Sequence, residues 1–444
     1  MRCIIRRRSA VCPRSRNATK VFRRLFLLAA VCSLALTELP AKAAGWTQNQ
    51  FLVTFWCPPP ATDENLARVA AEGFNLTWTP VEGLDVAARN GLRAMLTSDL
   101  LNPATLDDPA KCAQLDALIE RVKNHPGMAA YFLTDEPSAD AFPGLGKLVA
   151  HLRERDPAHL VYINLFPTYA TAEQLGVRAD AGEQTRGSGP LIFAGIGADD
   201  GTVRRYHEYL RQFMATIQPD LLSYDHYHFL KEKDGEQYFL NLGMIRQTAL
   251  EAHRPFLNII QADTIEKTWR LPNTNEMRWL VFTTMAYGGR GISYFTYWGP
   301  PEYNGLYVDG KPMPLLSAVA ALNHEIVRFG PALMELNSVG VYQTAPLPCG
   351  AEGIPTEAPV QIKGKGEFVL GLFSKDSQPT AFMIVNRNYK QTIKATAIVS
   401  IPGRTLQELD RGSGLWVRRQ SLQGKRILKL KLAPGDGRLF RVVK

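Results

Sequence analysis

Between residue 51 and about residue 330 the chain alternates, eight times over, a short apolar run with a longer stretch whose apolar positions recur at three and four. The runs cover 51–56, 74–79, 92–97, 128–134, 160–166, 221–225, 256–261 and 292–298, the length of strands. The helical stretches are 64–72, 83–90, 109–124, 141–155, 203–217, 236–253, 275–287 and 315–329; Leu115, Leu118, Ile119 and Val122 mark the buried face of the third. Strands this apolar need cover on both faces, as the helices of a parallel α/β sheet provide. Eight such units in about 280 residues predict a (β/α)8 TIM barrel over residues 45–332. The rival, an open doubly wound sheet, places a glycine-rich phosphate turn after its first strand. Here that strand runs into Trp56-Cys57-Pro58-Pro59-Pro60, which cannot cradle a pyrophosphate with backbone amides.

Past residue 335 the helical period disappears. Short alternating runs follow at 368–373, 380–385, 394–400, 414–419, 426–432 and 439–442, separated by turns rich in Gly, Pro and Asp. They predict a C-terminal all-β sandwich domain over residues 335–444, with 346–359 as a loop.

Residues 1–43 carry ten Lys/Arg and one acid, Glu38, around the uncharged run 25–36 and the small-x-small triplet Ala41-Lys42-Ala43. A basic region, a 12-residue apolar run too short to span a bilayer, and small residues predict a removable export signal. Arg23-Arg24 gives it a twin-arginine look beside the Sec-type reading, so the expected location is secreted or periplasmic, with no membrane span after cleavage. Of the chain's 51 basic and 42 acidic residues, 41 of each remain beyond residue 43. A neutral body has no electrostatic footprint for nucleic acid. Cys57, Cys112 and Cys349 remain after the signal, an odd set without zinc spacing. No structural metal and no cofactor is expected, and oligomeric state is not legible.

In a barrel of this kind chemistry sits at the C-terminal strand ends. These present Trp56, Trp78, Ser98-Asp99, Asp135-Glu136-Pro137, Asn164, Asp225-His226-Tyr227-His228, Gln261 with Asp263, and Tyr297-Trp298, with Trp269 close by. Flat aromatic faces mixed with carboxylates and amides suit a sugar ring, whose C–H faces stack while its hydroxyls hydrogen-bond. Asp135-Glu136 is the sharpest element. Desolvation at a barrel mouth and a neighbouring charge both disfavour ionisation, so one carboxyl can hold a proton near neutral pH, as a general acid on a glycosidic oxygen must. The plainer alternative is that Asp-Glu-Pro merely starts a helix. His226-x-His228 matches a metal spacing, but no further histidine falls at a strand end, so sugar or backbone contacts are expected instead. The segment 195–201, Gly-Ile-Gly-Ala-Asp-Asp-Gly, reads as a loop.

The eight-unit barrel, Glu136-Pro137 closing strand four, Ser293-Tyr294-Phe295-Thr296-Tyr297-Trp298 on strand eight and the trailing β-domain together resemble the clan of (β/α)8 glycoside hydrolases that includes microbial β-galactosidases. Asp135 stands where that clan usually has Asn, and strand seven ends in Gln261 where it has a nucleophilic Glu. The Asp-Glu pair is similar instead to β-N-acetylhexosaminidases that use the substrate's acetamide as nucleophile. That resemblance implies Glu136 as acid/base and Asp135 as the group polarising the acetamide. Inversion, with Asp225 or Asp263 as base, is the third route. The expectation is an exported glycoside hydrolase with Glu136, Asp135 and Asp225 catalytic. Trp56, Trp78, Asn164, Tyr227, His228, Gln261, Asp263, Tyr297 and Trp298 are the expected substrate contacts. A carbohydrate-binding barrel without activity and a metal-dependent barrel hydrolase are the alternatives.

Overall fold

The computed structural model describes residues 45–177, 200–264, 268–422 and 426–444. The export signal and most of segment 195–201 lie outside the described residues. Eight parallel strands form one sheet: β1 (Leu52–Phe55), β2 (Leu76–Thr79), β3 (Arg93–Leu96), β4 (Met128–Thr134), β5 (Leu160–Leu165), β6 (Leu222–His226), β7 (Phe256–Gln261) and β8 (Gly291–Phe295). The helices are α1 (Asp63–Ala71), α2 (Leu84–Arg89), α3 (Pro109–Val122), α4 (Phe142–Arg155), α5 (Ala172–Leu175), α6 (Asp200–Ile217), α7 (Tyr238–Glu251), α8 (Thr274–Ala286) and α9 (Leu315–Met334). Local chemistry sets several starts. Asp108 accepts from the backbone N–H of Ala110 and Lys111 with Pro109 in the first turn of α3, and Asn273 with Glu276 forms a capping box on α8.

β1 pairs in register with β8, and Asn75 closes the seam between β1 and β2. Its backbone N–H donates to Val53 O at 3.0 Å, its Nδ2 donates to Phe51 O at 2.8 Å, and its Oδ1 accepts from Val53 N–H at 2.9 Å. One side chain thus supplies the ladder bonds where the two strands splay. The barrel register aligns Phe132 with Tyr162, Asn164 with Ser223 and Asp225 with Ile259. Because alternate residues share a face, Asn164 and Asp225 both turn to the barrel axis.

Strand eight is shorter than the sequence implied. After Phe295 the chain leaves the ladder, and Tyr297 and Trp298 donate their backbone N–H to Trp56 O and Cys57 O, both at 2.9 Å. A small sheet follows: β9 (Trp298–Gly299), β10 (Tyr307–Val308) and β11 (Lys311–Pro312).

The C-terminal domain is a sandwich. A six-stranded antiparallel sheet joins β12 (Asn337–Gln343), β14 (Phe368–Ser374), β15 (Ala381–Asn386), β20 (Gly437–Val443), β17 (Thr405–Leu409) and β18 (Trp416–Ser421) in that order. The second sheet joins β13 (Val360–Lys363), β16 (Ile393–Val399) and β19 (Ile427–Leu432). Strands β12, β13 and β17 escape the sequence pattern, being short or interrupted by exposed polar residues. Within the larger sheet, β14 and β15 are buried on both faces. Leu370, Leu372, Phe382 and Ile384 fill the sandwich core, while Val369, Phe373, Met383 and Val385 pack into the barrel's apolar shell. Gly371 makes the contact with α8 close: a Cβ there would stand 2.3 Å from Ala286 O.

Candidate active site

β4 carries a register shift against β5 between Phe132 and Thr134, an extra residue that re-aims the chain beyond it. Asp135 and Glu136 come next, and Glu136 adopts φ +43°, a left-handed conformation that costs a non-glycine residue about 1–3 kcal/mol. Its backbone N–H holds that geometry by donating to Asn164 O at 3.0 Å. Pro137 O, just beyond, accepts from Tyr209 OH at 2.8 Å.

Of the three carboxyls here, two converge on one amide. Asn164 Nδ2 donates to Asp135 Oδ1 at 3.0 Å and to Asp225 Oδ1 at 2.9 Å. Its Oδ1 accepts from Ser223 Oγ at 2.9 Å, and Ser223 pairs with Tyr162 OH at 2.7 Å, so the hub is fully bonded. Glu136 and Asp225 lie close enough to shift one another, Asp225 holding Glu136 down and Glu136 pushing Asp225 up. Burial foremost, then the charge of Asp135, pushes Glu136 up to about 7, against a hydrogen bond from Asp225. Burial foremost, then Glu136 and Asp135, raises Asp225 well above the carboxylate range. Asp135 lies at the exposed lip, yet the surrounding walls still raise its carboxyl by desolvation, partly offset by Asn164 and the Glu136 backbone N–H. No basic side chain figures among the groups shifting any of the three. The arrangement holds a proton on a carboxyl near neutral pH beside a second, more exposed carboxyl. General acid–base chemistry needs that combination.

Aromatic rings pack together at the same strand ends: Phe132 and Trp78 at 4.6 Å between centroids, Trp78 and Trp56 at 4.7 Å, Tyr227 and Phe295 at 5.3 Å, Tyr227 and Trp269 at 4.5 Å. Next to them opens a cavity of about 740 Å³ lined by Tyr169, His226, Tyr227, Trp269 and the loop from Leu230 to Gln237. Asp135, Glu136 and Asp225 do not line it, but Asp225 directly precedes His226 and Tyr227, which do. Tyr169, half exposed, accepts at its OH from Tyr227 N–H at 3.3 Å and stands edge-on to His226.

Of the sequence-nominated residues, the fold brings together Asp135, Glu136, Asn164, Asp225, Trp56 and Tyr227. Others are placed or used differently from what was expected. Gln261 is fully buried, its Oε1 accepting from Phe229 N–H at 2.9 Å and its Nε2 donating to Phe229 O at 3.0 Å and Arg270 O at 2.9 Å. It ties the loops after β6 and β7 together and has no polar atom left for a ligand. Asn164 is spent on the carboxyls. Trp78 is core, 5% exposed, beneath Trp56 and Phe132. Tyr297 is buried against Phe55 and donates its OH to Glu72 Oε2 at 2.8 Å, on the outer side of the barrel. His228 stacks on Trp279 and faces the β-domain, where burial pulls its pKa down to about 4. Trp298 stacks on Tyr307 at the rim, and Asp263 is buried close enough to Cys57 to help raise that thiol to about 11, behind burial itself. Tyr169, Phe132 and Phe295 escaped the sequence reading. Tyr169 follows β5 by four residues, and the other two sit inside strand runs where an aromatic reads as core.

His226 is buried and bonds through Nδ1 to Asn241 Oδ1 at 2.9 Å, its pKa lowered to about 3 chiefly by burial. The His226 and His228 rings both pack against Tyr238, and among the described residues neither belongs to a close group of three or more possible metal ligands. Among the described residues, Cys112, Asp116 and His151 group closely, but on α3 and α4 away from the mouth, and Arg155 already pairs with Asp116 at 2.6 Å.

No protein-family model matches the chain, and no curated protein matches it in sequence. Solved structures do resemble it. One is a glycoside hydrolase family 5 protein from Bacteroides vulgatus, 11% identical, covering 89% of this chain and 89% of that one with a TM-score of 0.49. Others are β-galactosidases from Rahnella sp. R3 (10% identity, 65% and 57% covered, TM-score 0.42) and from Marinomonas ef1 (11%, 62% and 59%, 0.41). Each is a likeness of fold.

Proposed function

We propose that the chain is an exported glycoside hydrolase in which Glu136 is the general acid. One observation carries the reading: at the mouth of a (β/α)8 barrel, Glu136 follows Asp135 and lies beside buried Asp225, both of which are tied to Asn164, and burial with the charge of Asp135 raises Glu136 to about 7. Protonated Glu136 gives its proton to the glycosidic oxygen as the C–O bond breaks, and Asp225, still protonated, then steadies the new carboxylate by donating to it. Positive charge grows at the anomeric carbon, where Asp135 is the exposed carboxylate placed to stabilise it. Strand seven supplies no nucleophile, because Gln261 is an amide locked into backbone bonds. This favours a reaction in which Asp135 orients a substrate acetamide or an attacking water over one that forms a glycosyl-enzyme.

The test is turnover on a panel of acetamido and plain glycosides by the wild type and by Glu136→Gln. Hydrolysis lost in the variant with glycan binding retained supports the proposal. Binding without turnover by the wild type would instead support a carbohydrate-binding barrel. Export is tested separately: the mature N-terminus of protein recovered outside the cytoplasm is expected just after Ala43.

A further inference from the structure

At the opposite end of β7 and β8 lies a second cavity, of about 330 Å³, walled by the C-terminal half of α7, the turns leading into β7 and β8, and the start of β12. Three arginines face it: Arg246, Arg254 and Arg290. Arg246 is half-buried, and its Nε donates to Ser338 Oγ at 3.1 Å. One Nη of Arg290 donates to Leu336 O at 3.1 Å and to Asn337 Oδ1 at 3.0 Å. These bonds use a minority of the five N–H donors on each guanidinium.

Neither Arg246 nor Arg290 pairs with a carboxylate among the described residues. Burial lowers the pKa of both, and the one carboxylate acting on Arg246, beside Tyr287 and Tyr342, is the exposed Glu352. Arg254 stands 3.6 Å from Asp220, but that carboxylate is already held by Arg153 at 2.8 Å. A desolvated guanidinium without a counter-charge is costly, and its planar fork matches a pair of charged oxygens. We infer that this cavity binds a small oxyanion, phosphate, sulfate or carboxylate, between Arg246 and Arg290 with Arg254 at the open side. The ligand would link α7 and β8 of the barrel to the first strand of the sandwich. The inference is independent of the hydrolase reading.

Calorimetric titration of the full chain with inorganic phosphate, sulfate, acetate and glucuronate, at fixed ionic strength, tests it. One saturable site is expected, weakened about tenfold or more in Arg246→Gln or Arg290→Gln, since each removes charge-assisted hydrogen bonds. Arg254→Gln changes an exposed side chain and keeps the test decisive if the buried variants do not fold; it too must weaken binding. Preference for the inorganic anions identifies a free ion as ligand, and preference for glucuronate identifies a sugar acid. No saturable heat with any of the four, or unchanged affinity in every folded variant, overturns the inference.

Discussion

Replacing Glu136 by Gln removes one proton and leaves the shape intact. A glutamate of ordinary pKa, 4.5, is protonated about 0.3% of the time at pH 7, whereas one raised to about 7 is protonated half the time. That gain of roughly 150-fold in acid form corresponds to about 3 kcal/mol, which the barrel mouth supplies through burial and Asp135. Since the protonated form of Glu136 is the working one, kcat/KM should fall tenfold per pH step above about 7, with a separate fall in acid as Asp135 is neutralised. The assay compares wild type and Glu136→Gln across pH on two glycosides of the same sugar, one with an alkyl and one with a dinitrophenyl leaving group. On the alkyl glycoside the variant should lose about 100- to 10,000-fold in kcat and lose the alkaline fall as well. On the dinitrophenyl glycoside, which leaves without protonation, the loss should be small. An alkaline fall near 7 that persists in the variant, or equal losses on both substrates, refutes the role given to Glu136.

Stability should carry the same titration. Glu136 has a raised pKa in the fold, so its share of stability is complete below about 4.5 and is lost as pH rises through about 7, by up to about 3 kcal/mol; thermal melts should show Glu136→Gln matching wild type in acid and exceeding it at alkaline pH. Asn164→Ala strips the amide from Asp135, Asp225 and Ser223 and should destabilise by about 2–4 kcal/mol in urea while abolishing turnover. Gln261→Glu sets a carboxylate oxygen against the Phe229 and Arg270 carbonyls, so it should lower the urea midpoint and leave turnover no higher. Gly371→Ala drives a methyl toward Ala286 O and should cost about 1–3 kcal/mol with kcat unchanged.

The barrel was legible because its strands and helices differ in period: β4 and β7 have the bounds that the apolar runs 128–134 and 256–261 predict. Strand eight was overread because Tyr297 and Trp298 continue the aromatic pattern after the ladder ends; hydrophobicity marks burial, not pairing. The same limit explains the site. Position along a strand located Glu136, Asp135, Asp225 and Asn164 at one mouth, since each is fixed by strand phase. Whether a polar side chain meets solvent or a backbone partner depends on neighbouring loops, which is why Gln261 and Tyr297 read as ligand groups and are fastenings. Tyr169 shows the converse: its place comes from the turn after β5, for which sequence offers no period.

The strands that α8 presses against, β14 and β15, are interior on both sides, and this determines what can be cut. Severing the chain near residue 335 would bare Val369, Phe373, Met383 and Val385 on one fragment and the outer surface of α8 on the other. Tyr389, which bonds to Asp234 in the loop walling the large cavity, would leave with the sandwich. The C-terminal domain is therefore no detachable appendage. The chain should melt in a single transition, and a barrel expressed alone should lose the shape of its cleft along with its solubility.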